Sequence, residues 1–258
     1  MPQAFLLHLT PTEARTPKYA GLYAHGLFFT LLKKLNSELA SQIHAAARKP
    51  FTLTPLPRRD GLILRVTTLD DGLFAPLLKT LLQESVHGLP LGDQPFMLTR
   101  VISTPEGDPL AGFTSWQDLA QAGRTRTLTL SFHTPTVFTT SKADKRTRHT
   151  PLPEPFLIVK SLLSSWQYHS PLAYPETNQA ALLSVFELDL EITRFHNLRF
   201  GKVRAGKGFF PGFTGQVEIY CHSDSLEVQQ ALATLHALAF FSGVGAKTTY
   251  GMGLVIPG

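Results

Sequence analysis

His44, Arg48 and Lys49 fall within six residues of one another, immediately before Pro50. An imidazole titrates near pH 6.5 when unperturbed, so it can give or take a proton under physiological conditions. A guanidinium and an ammonium beside it suit a reaction whose transition state gains negative charge. A second histidine, His25, lies eleven residues before Asn36, and His44 lies eight residues after it. If the chain reverses at Asn36-Ser37, a rise of about 1.5 Å per residue puts both imidazoles at similar heights on an antiparallel helical pair. Two imidazoles so placed can flank one reacting phosphate, one as base and one as acid. The rival reading of each is a histidine on a helix surface.

A second group of residues suits an anion rather than a proton. Gly243 to Gly253 holds Gly243, Gly245, Gly251 and Gly253 together with Lys247 and Tyr250. Glycine permits positive φ and close backbone approach, and successive exposed amides form an anion-binding concavity to which a lysine adds charge. A P-loop is excluded because Ala246 precedes Lys247, and the dinucleotide fingerprint fails at Thr248. The rival is a glycine-rich hairpin joining two elements. Two further segments are basic: Lys142, Lys145, Arg146 and Arg148 in one, Arg199, Lys202, Arg204 and Lys207 in the other. The first reads equally as a solvated loop. The second is interleaved with glycines and flanked by Phe200, Phe209 and Phe210, which can stack on bases or be core. Neither an H-E-x-x-H pair nor a carboxylate cluster marks a metal site. No nucleophile elbow is present either, and no cofactor is expected.

The elements that must position these residues follow from periodicity. Phe5 to Thr10 reads as a strand. Leu22, Leu27, Phe28, Leu31, Leu32 and Leu35 recur at helical spacing. Residues 38–47 form a second short helix, stopped by Lys49-Pro50. Strands over 51–57 and 62–68 flank a turn at Arg58 to Gly61. A helix through Leu73, Leu77 and Leu81 and a strand over 96–102 complete β-α-β-β-α-β, the ferredoxin-like unit. After a connection over 116–123, strand 127–132, helix 155–168, strand 213–221, helix 226–241 and a terminal strand repeat that order less regularly. Residues 181–200 read as two strands, with helix as the alternative. The expected fold is α+β, two tandem ferredoxin-like (RRM-like) domains over residues 1–122 and 123–258.

Three segments carry a resemblance. A helix, then G-x-G-x-K-x-x-x-G-x-G over Gly243 to Gly253, then a terminal strand is similar to the signature loop of the CRISPR-associated repeat-RNA endoribonucleases. Ile43 to Leu56, with His44, a basic residue and Pro50-Phe51-Thr52, resembles that family's histidine and following strand. Leu128 to Phe138 resembles the opening strand of its second domain. The resemblance implies a metal-independent endoribonuclease that processes the CRISPR precursor transcript into crRNA. His44 takes the family's catalytic position, and Lys49 or Arg48 the basic partner. Some relatives pair two histidines, which fits His25; others place a tyrosine on the first helix, which would be Tyr23. Cutting without a metal means attack by a ribose 2′-OH, leaving a 2′,3′-cyclic phosphate and a 5′-OH. The second domain would grip the repeat RNA through its glycine loop and basic hairpin. The alternative on the same fold is a non-cleaving RNA-binding subunit of a CRISPR effector complex, and a third is a generic RRM-type protein. Association with effector subunits and homodimer formation stay open.

Composition agrees with an anionic partner. Hydrophobic residues make up 43% and charged residues 17% of 258, enough apolar content for a core. Net charge is +5 and the pI near 9.4, which favours association with polyanions. Cys221 is the single cysteine, so no intrachain disulfide or multi-cysteine zinc site exists. The N-terminal residues lack a secretory pattern, and no apolar run approaches the roughly 20 residues that span a bilayer. A cytoplasmic protein without membrane association is expected.

Overall fold

The computed structural model describes residues 1–12, 20–86, 88–141, 147–172, 179–205 and 208–258. They pack as two compact units: Met1–Thr114 with Arg204–Lys207 and Thr249–Gly251, and Ser115–Val203 with Gly208–Thr248 and Met252–Gly258.

The first unit runs β1 (Gln3–Pro11), α1 (Ala20–Leu35), α2 (Ser37–Ala45), β2 (Phe51–Arg58), β3 (Gly61–Thr68), α3 (Phe74–Ser85), β4 (Leu89–Leu91), β5 (Gln94–Ile102) and β6 (Gly112–Phe113). Its sheet has the order β2-β3-β1-β5-β4, with β6 paired to β1. Leu7 of β1 stands opposite Leu64 of β3 on one side and Val101 of β5 on the other. Alternate β1 side chains Phe5, Leu7 and Leu9 join Leu27, Phe28, Leu31 and Leu32 of α1 and Leu77 and Leu81 of α3 in one core. The opposite sheet face is covered by Leu110 and Ala111, over Leu6, Ile63 and Ile102. Arg65 is buried on β3 and donates from Nε to the Leu110 carbonyl at 2.8 Å.

Asn36 is where α1 gives way to α2. Its backbone is extended (φ −162°, ψ 115°), and its side chain accepts from the amides of Glu38 and Leu39. Such an N-cap contributes about 1 kcal/mol to the helix it starts. The chain therefore reverses at Asn36, and α2 folds back on α1 through buried Ala40 and Ile43.

The second unit runs α4 (Trp116–Ala120), β7 (Thr127–Thr136), β8 (Phe138–Ser141), β9 (Thr147–Thr150), α5 (Pro155–His169), α6 (Gln179–Asp189), β10 (Leu190–Ala205), β11 (Gly208–Cys221), α7 (Leu226–Ser242) and β12 (Val255–Pro257); the 3-10 turn Thr248–Tyr250 before β12 has Thr249 and Tyr250 grouped with the first unit. The main sheet has the order β10-β11-β7-β12. Leu130 of β7 faces Val217 of β11, and Phe132 faces Val255 of β12. α7 packs on β7 and α5, which is why its buried residues run nearly round the helix. α4, which falls where a short connecting helix or linker was expected, starts with a Ser115–Asp118 capping box and packs on α7.

In each unit the first strand lies between the third and last, and the second strand is at an edge. Both are ferredoxin-like, as expected. One segment departs from the expected strands: residues 179–189 are helical, with Leu182 and Phe186 buried one turn apart. Spacing of four residues fixes a helical face, and Ala-Ala-Leu-Leu favours helix over strand. The following strand is correspondingly long, sixteen residues through Ala205. No helix among the described residues is long and apolar enough to cross a membrane.

Candidate active site

α1 and α2 enclose an open cleft of about 500 Å³. His25, Phe29 and Lys33 line it from α1, a stripe at i, i+4 and i+8. Ala40, Ser41 and His44 line it from α2. Phe29 is buried and forms the base. Its ring centroid lies 4.8 Å from that of His25 and 5.2 Å from that of His44, meeting the latter edge-on at 76°. One ring thus touches both imidazoles, so their separation is capped by the sum of those distances. His44 is exposed in the last turn of α2 and His25 is half-buried.

His25 has further contacts. Its Nδ1 lies 3.2 Å from the Thr249 carbonyl oxygen, and its ring stacks on Tyr250 at 3.9 Å and 19°. Tyr250 is seated against α1: a Cβ added at Gly21 would come within 2.1 Å of the Tyr250 carbonyl oxygen. Burial pushes the Tyr250 phenol above its ordinary pKa.

The remaining candidates of the first unit separate. Lys49 Nζ donates to the carbonyls of His44 at 2.9 Å and Ala46 at 2.5 Å. Its ammonium thus satisfies the open carbonyl end of α2. Arg48 is half-buried. Tyr23 packs with the core and lies beside Gly92, where a Cβ would come within 3.0 Å of its ring. Two residues along a helix turn about 200°, so Tyr23 points away from the His25 stripe. The cation that lines the cleft is Lys33, which the sequence reading passed over. Its signal was the eight-residue interval from His25.

The glycine loop uses its amides differently from the expected open cradle. The Val244 N–H donates to the Gly253 carbonyl, Gly245 to Ser161 Oγ, and Ala246 to the Val137 carbonyl. Gly253 N–H donates to the Pro135 carbonyl, and Leu254 N–H to Thr134 Oγ1. These amides are spent inside the fold. Gly245 (φ +86°) and Gly253 (φ +73°) permit it, because a Cβ would sit 2.6 Å from the Val137 oxygen and 2.2 Å from the Val244 oxygen, respectively. Gly243 and Gly251 also have positive φ. Lys247 adopts φ +62° without being glycine, an uncommon conformation. Its ammonium lies 5.3 Å over the ring of Phe210, which His149 meets edge-on at 5.0 Å.

On the β10–β11 hairpin, Arg199 and Lys202 are exposed and Arg204 is half-buried. Phe200 and Phe209 are 58% and 66% exposed, too open for core side chains, whereas Phe210 is half-buried under Lys247. Lys142, Lys145, Arg146 and Lys207 lie outside the described residues. Among the described residues no three His, Cys, Asp or Glu side chains converge as a metal centre.

Residues 130–255 match the CRISPR-associated endoribonuclease Cas6, and residues 1–61 match the CRISPR Cas6 N-terminal domain. The chain is similar over 100% of its length to the Cas6 (TTHB231) product complex, with 57% identity, 100% of that chain covered and a TM-score of 0.95. Against Thermus thermophilus Cas6 (TTHB231) the identity is 53%, with 100% and 98% covered and a TM-score of 0.81. The Cas6 (TTHA0078) product complex is 30% identical, with 100% and 99% covered and a TM-score of 0.83. A Cas6-related protein from Pyrococcus furiosus, 14% identical at a TM-score of 0.67, shares the fold. No curated protein matches the chain. The chain belongs to the Cas6 family of CRISPR-associated endoribonucleases.

Proposed function

We propose that this protein cuts the repeats of a CRISPR precursor transcript to give crRNA, without a metal, by internal attack of a ribose 2′-OH. The observation that carries the proposal is the one cleft that His25 and His44 both line, each ring against Phe29. One imidazole removes the 2′-OH proton as the 2′-oxygen bonds to phosphorus. The other donates a proton to the 5′-oxygen as the phosphorus–5′-oxygen bond breaks. The products are a 2′,3′-cyclic phosphate and a 5′-OH, and protons balance between the two rings. Lys33, lining the cleft, supplies charge for the phosphorane, with Arg48 and Lys49, which follow His44 in the chain, as further cations. Bound RNA held in line supplies much of the remaining rate.

Gripping the repeat is assigned to the C-terminal half. Arg199, Lys202 and Arg204 on the long hairpin, Lys207, Lys142, Lys145 and Arg146, and Lys247 contact phosphates. Phe200 and Phe209 stack on bases. Gly243, Gly245, Gly251 and Gly253 shape the loop that presents Lys247.

Cleavage of the cognate repeat in EDTA by His25→Ala, His44→Ala and the double variant tests the assignment. Each single change is expected to slow a single turnover by about 10²- to 10⁴-fold. Unchanged cleavage by the double variant would refute it. A wild-type protein that shifts the RNA in a gel and leaves it intact would instead indicate a non-cleaving subunit.

A further inference from the structure

We propose that the Thr249–Tyr250 tip of the C-terminal glycine loop is a positioning element for His25, holding the proton on its Nδ1 and the plane of its ring so that Nε2 is the nitrogen that exchanges a proton in the cut. The inference rests on the histidine-pair reading and assigns the working nitrogen of His25.

A carbonyl oxygen only accepts hydrogen bonds. The 3.2 Å contact between His25 Nδ1 and the Thr249 oxygen therefore requires the proton on Nδ1. In the neutral ring the lone pair then resides on Nε2, the nitrogen that exchanges a proton in the cut. When Nε2 gains or loses that proton, Nδ1–H keeps donating to the same oxygen, so the exchange demands no rearrangement at the far side of the ring.

The stack fixes the remaining freedom. Tyr250 lies 3.9 Å from the His25 centroid and within 19° of parallel, and Phe29 touches the same imidazole at 4.8 Å. With the ring plane held, the direction of the Nε2 lone pair is held too, which is what in-line chemistry requires. A phenol is neutral near pH 7, and burial pushes that of Tyr250 further up. His44 contrasts with this: it is exposed, with its ring edge against Phe29.

The seat of the tip is narrow. At Gly21 on α1 a Cβ would meet the Tyr250 carbonyl, and at Gly251 (φ +93°) it would meet Pro55 of β2 at 3.0 Å. Three consecutive loop residues, all grouped with the first unit, thus share one fitted position against α1 and β2.

The experiment compares Tyr250→Phe and Tyr250→Leu with wild type in three measurements. These are single-turnover cleavage at saturating enzyme in EDTA, Kd for a repeat carrying a 2′-deoxy substitution at the cut, and the ¹⁵N NMR tautomer of His25 in RNA-free protein. Tyr250→Phe keeps the ring and is expected to cleave within about 3-fold of wild type. Tyr250→Leu is expected to slow the step by about 10- to 100-fold, with Kd changed less than about 2-fold. Wild-type His25 is expected to carry its proton on Nδ1, and Tyr250→Leu to mix the tautomers. Weakened Kd with an unchanged rate would overturn the proposal, as would an Nδ1 without a proton in the wild type. A phenylalanine variant as slow as the leucine variant would move the role to the hydroxyl and overturn it too. The wild-type NMR measurement decides even where Tyr250→Leu does not fold. It needs no RNA, so a wrong tautomer removes the clamp and spares the histidine pair. Normal cleavage by His25→Ala removes the pair whatever the tautomer.

Discussion

Both units place helices between their first and second circuit strands, and the two connections are used in opposite ways. In the first unit α1 buries Leu27, Phe28, Leu31 and Leu32, and its other stripe of His25, Phe29 and Lys33 lines an open cleft shared with His44 of α2. In the second unit α5 buries Ile158, Val159, Leu162, Leu163 and Trp166, and α6 buries Leu182 and Phe186. That connection carries one helical histidine, His169, in the last turn of α5. The circuit itself demands only the buried face of each crossover. Chemistry goes onto the stripe that packing leaves over, and in the first unit the stripes of α1 and α2 line one cleft.

The comparison is broken most sharply by substituting what lies under each helix. Phe29→Ala removes the ring that both imidazoles touch. It is expected to lower stability by about 3–5 kcal/mol and cleavage by at least 10²-fold at temperatures where the protein remains folded. Leu162→Ala in α5 is expected to cost a similar 2–5 kcal/mol and to leave the single-turnover rate near wild type. Thermal melts beside cleavage assays check both. Equal loss of rate in the two variants would mean that the first crossover has no special role.

The cations sharpen the contrast. Lys33→Ala is expected to slow cleavage by about 10²-fold at unchanged melting temperature, as for loss of one charge-stabilising donor. Lys49→Ala is expected to cost about 1 kcal/mol of stability, because its bonds to the His44 and Ala46 carbonyls close α2. Its effect on rate should be the smaller of the two. Reversal of that order, with Lys49→Ala the slower enzyme, would return the charge role to the residue that the family resemblance named.

How much of this was legible depends on sequence separation. The histidine pair was readable because Asn36 both stops α1 and caps α2, so counting residues from it was enough. Lys33 was readable by the same arithmetic, as the third member of a four-residue stripe. Tyr250 was not. It lies at the other end of the chain, and nothing in the local pattern of either segment announces the stack. The glycine loop misled for a related reason. Its composition suggested open amides, whereas the acceptors that use them, the Pro135 and Val137 carbonyls, belong to residues more than a hundred positions upstream. The α6 segment was ambiguous because a short apolar run fits helix and strand alike until Leu182 and Phe186 are seen on one buried face.

The smallest expected effect concerns the second unit. Lys247→Ala should weaken repeat binding and flatten the log–log salt slope by about 0.7, the share of one single-strand phosphate contact. Its cleavage rate at saturation should stay close to wild type. A salt titration of Kd checks it, and a full-strength slope would place Lys247 outside the RNA path.

The measurement closest to the central claim is the end chemistry of the repeat after incubation with wild-type protein in excess EDTA. The two-imidazole cleft predicts upstream fragments ending in a 2′,3′-cyclic phosphate and downstream fragments beginning with a 5′-OH. Fragments with a 3′-OH and a 5′-phosphate, or cutting that appears only after a divalent ion is restored, would contradict it.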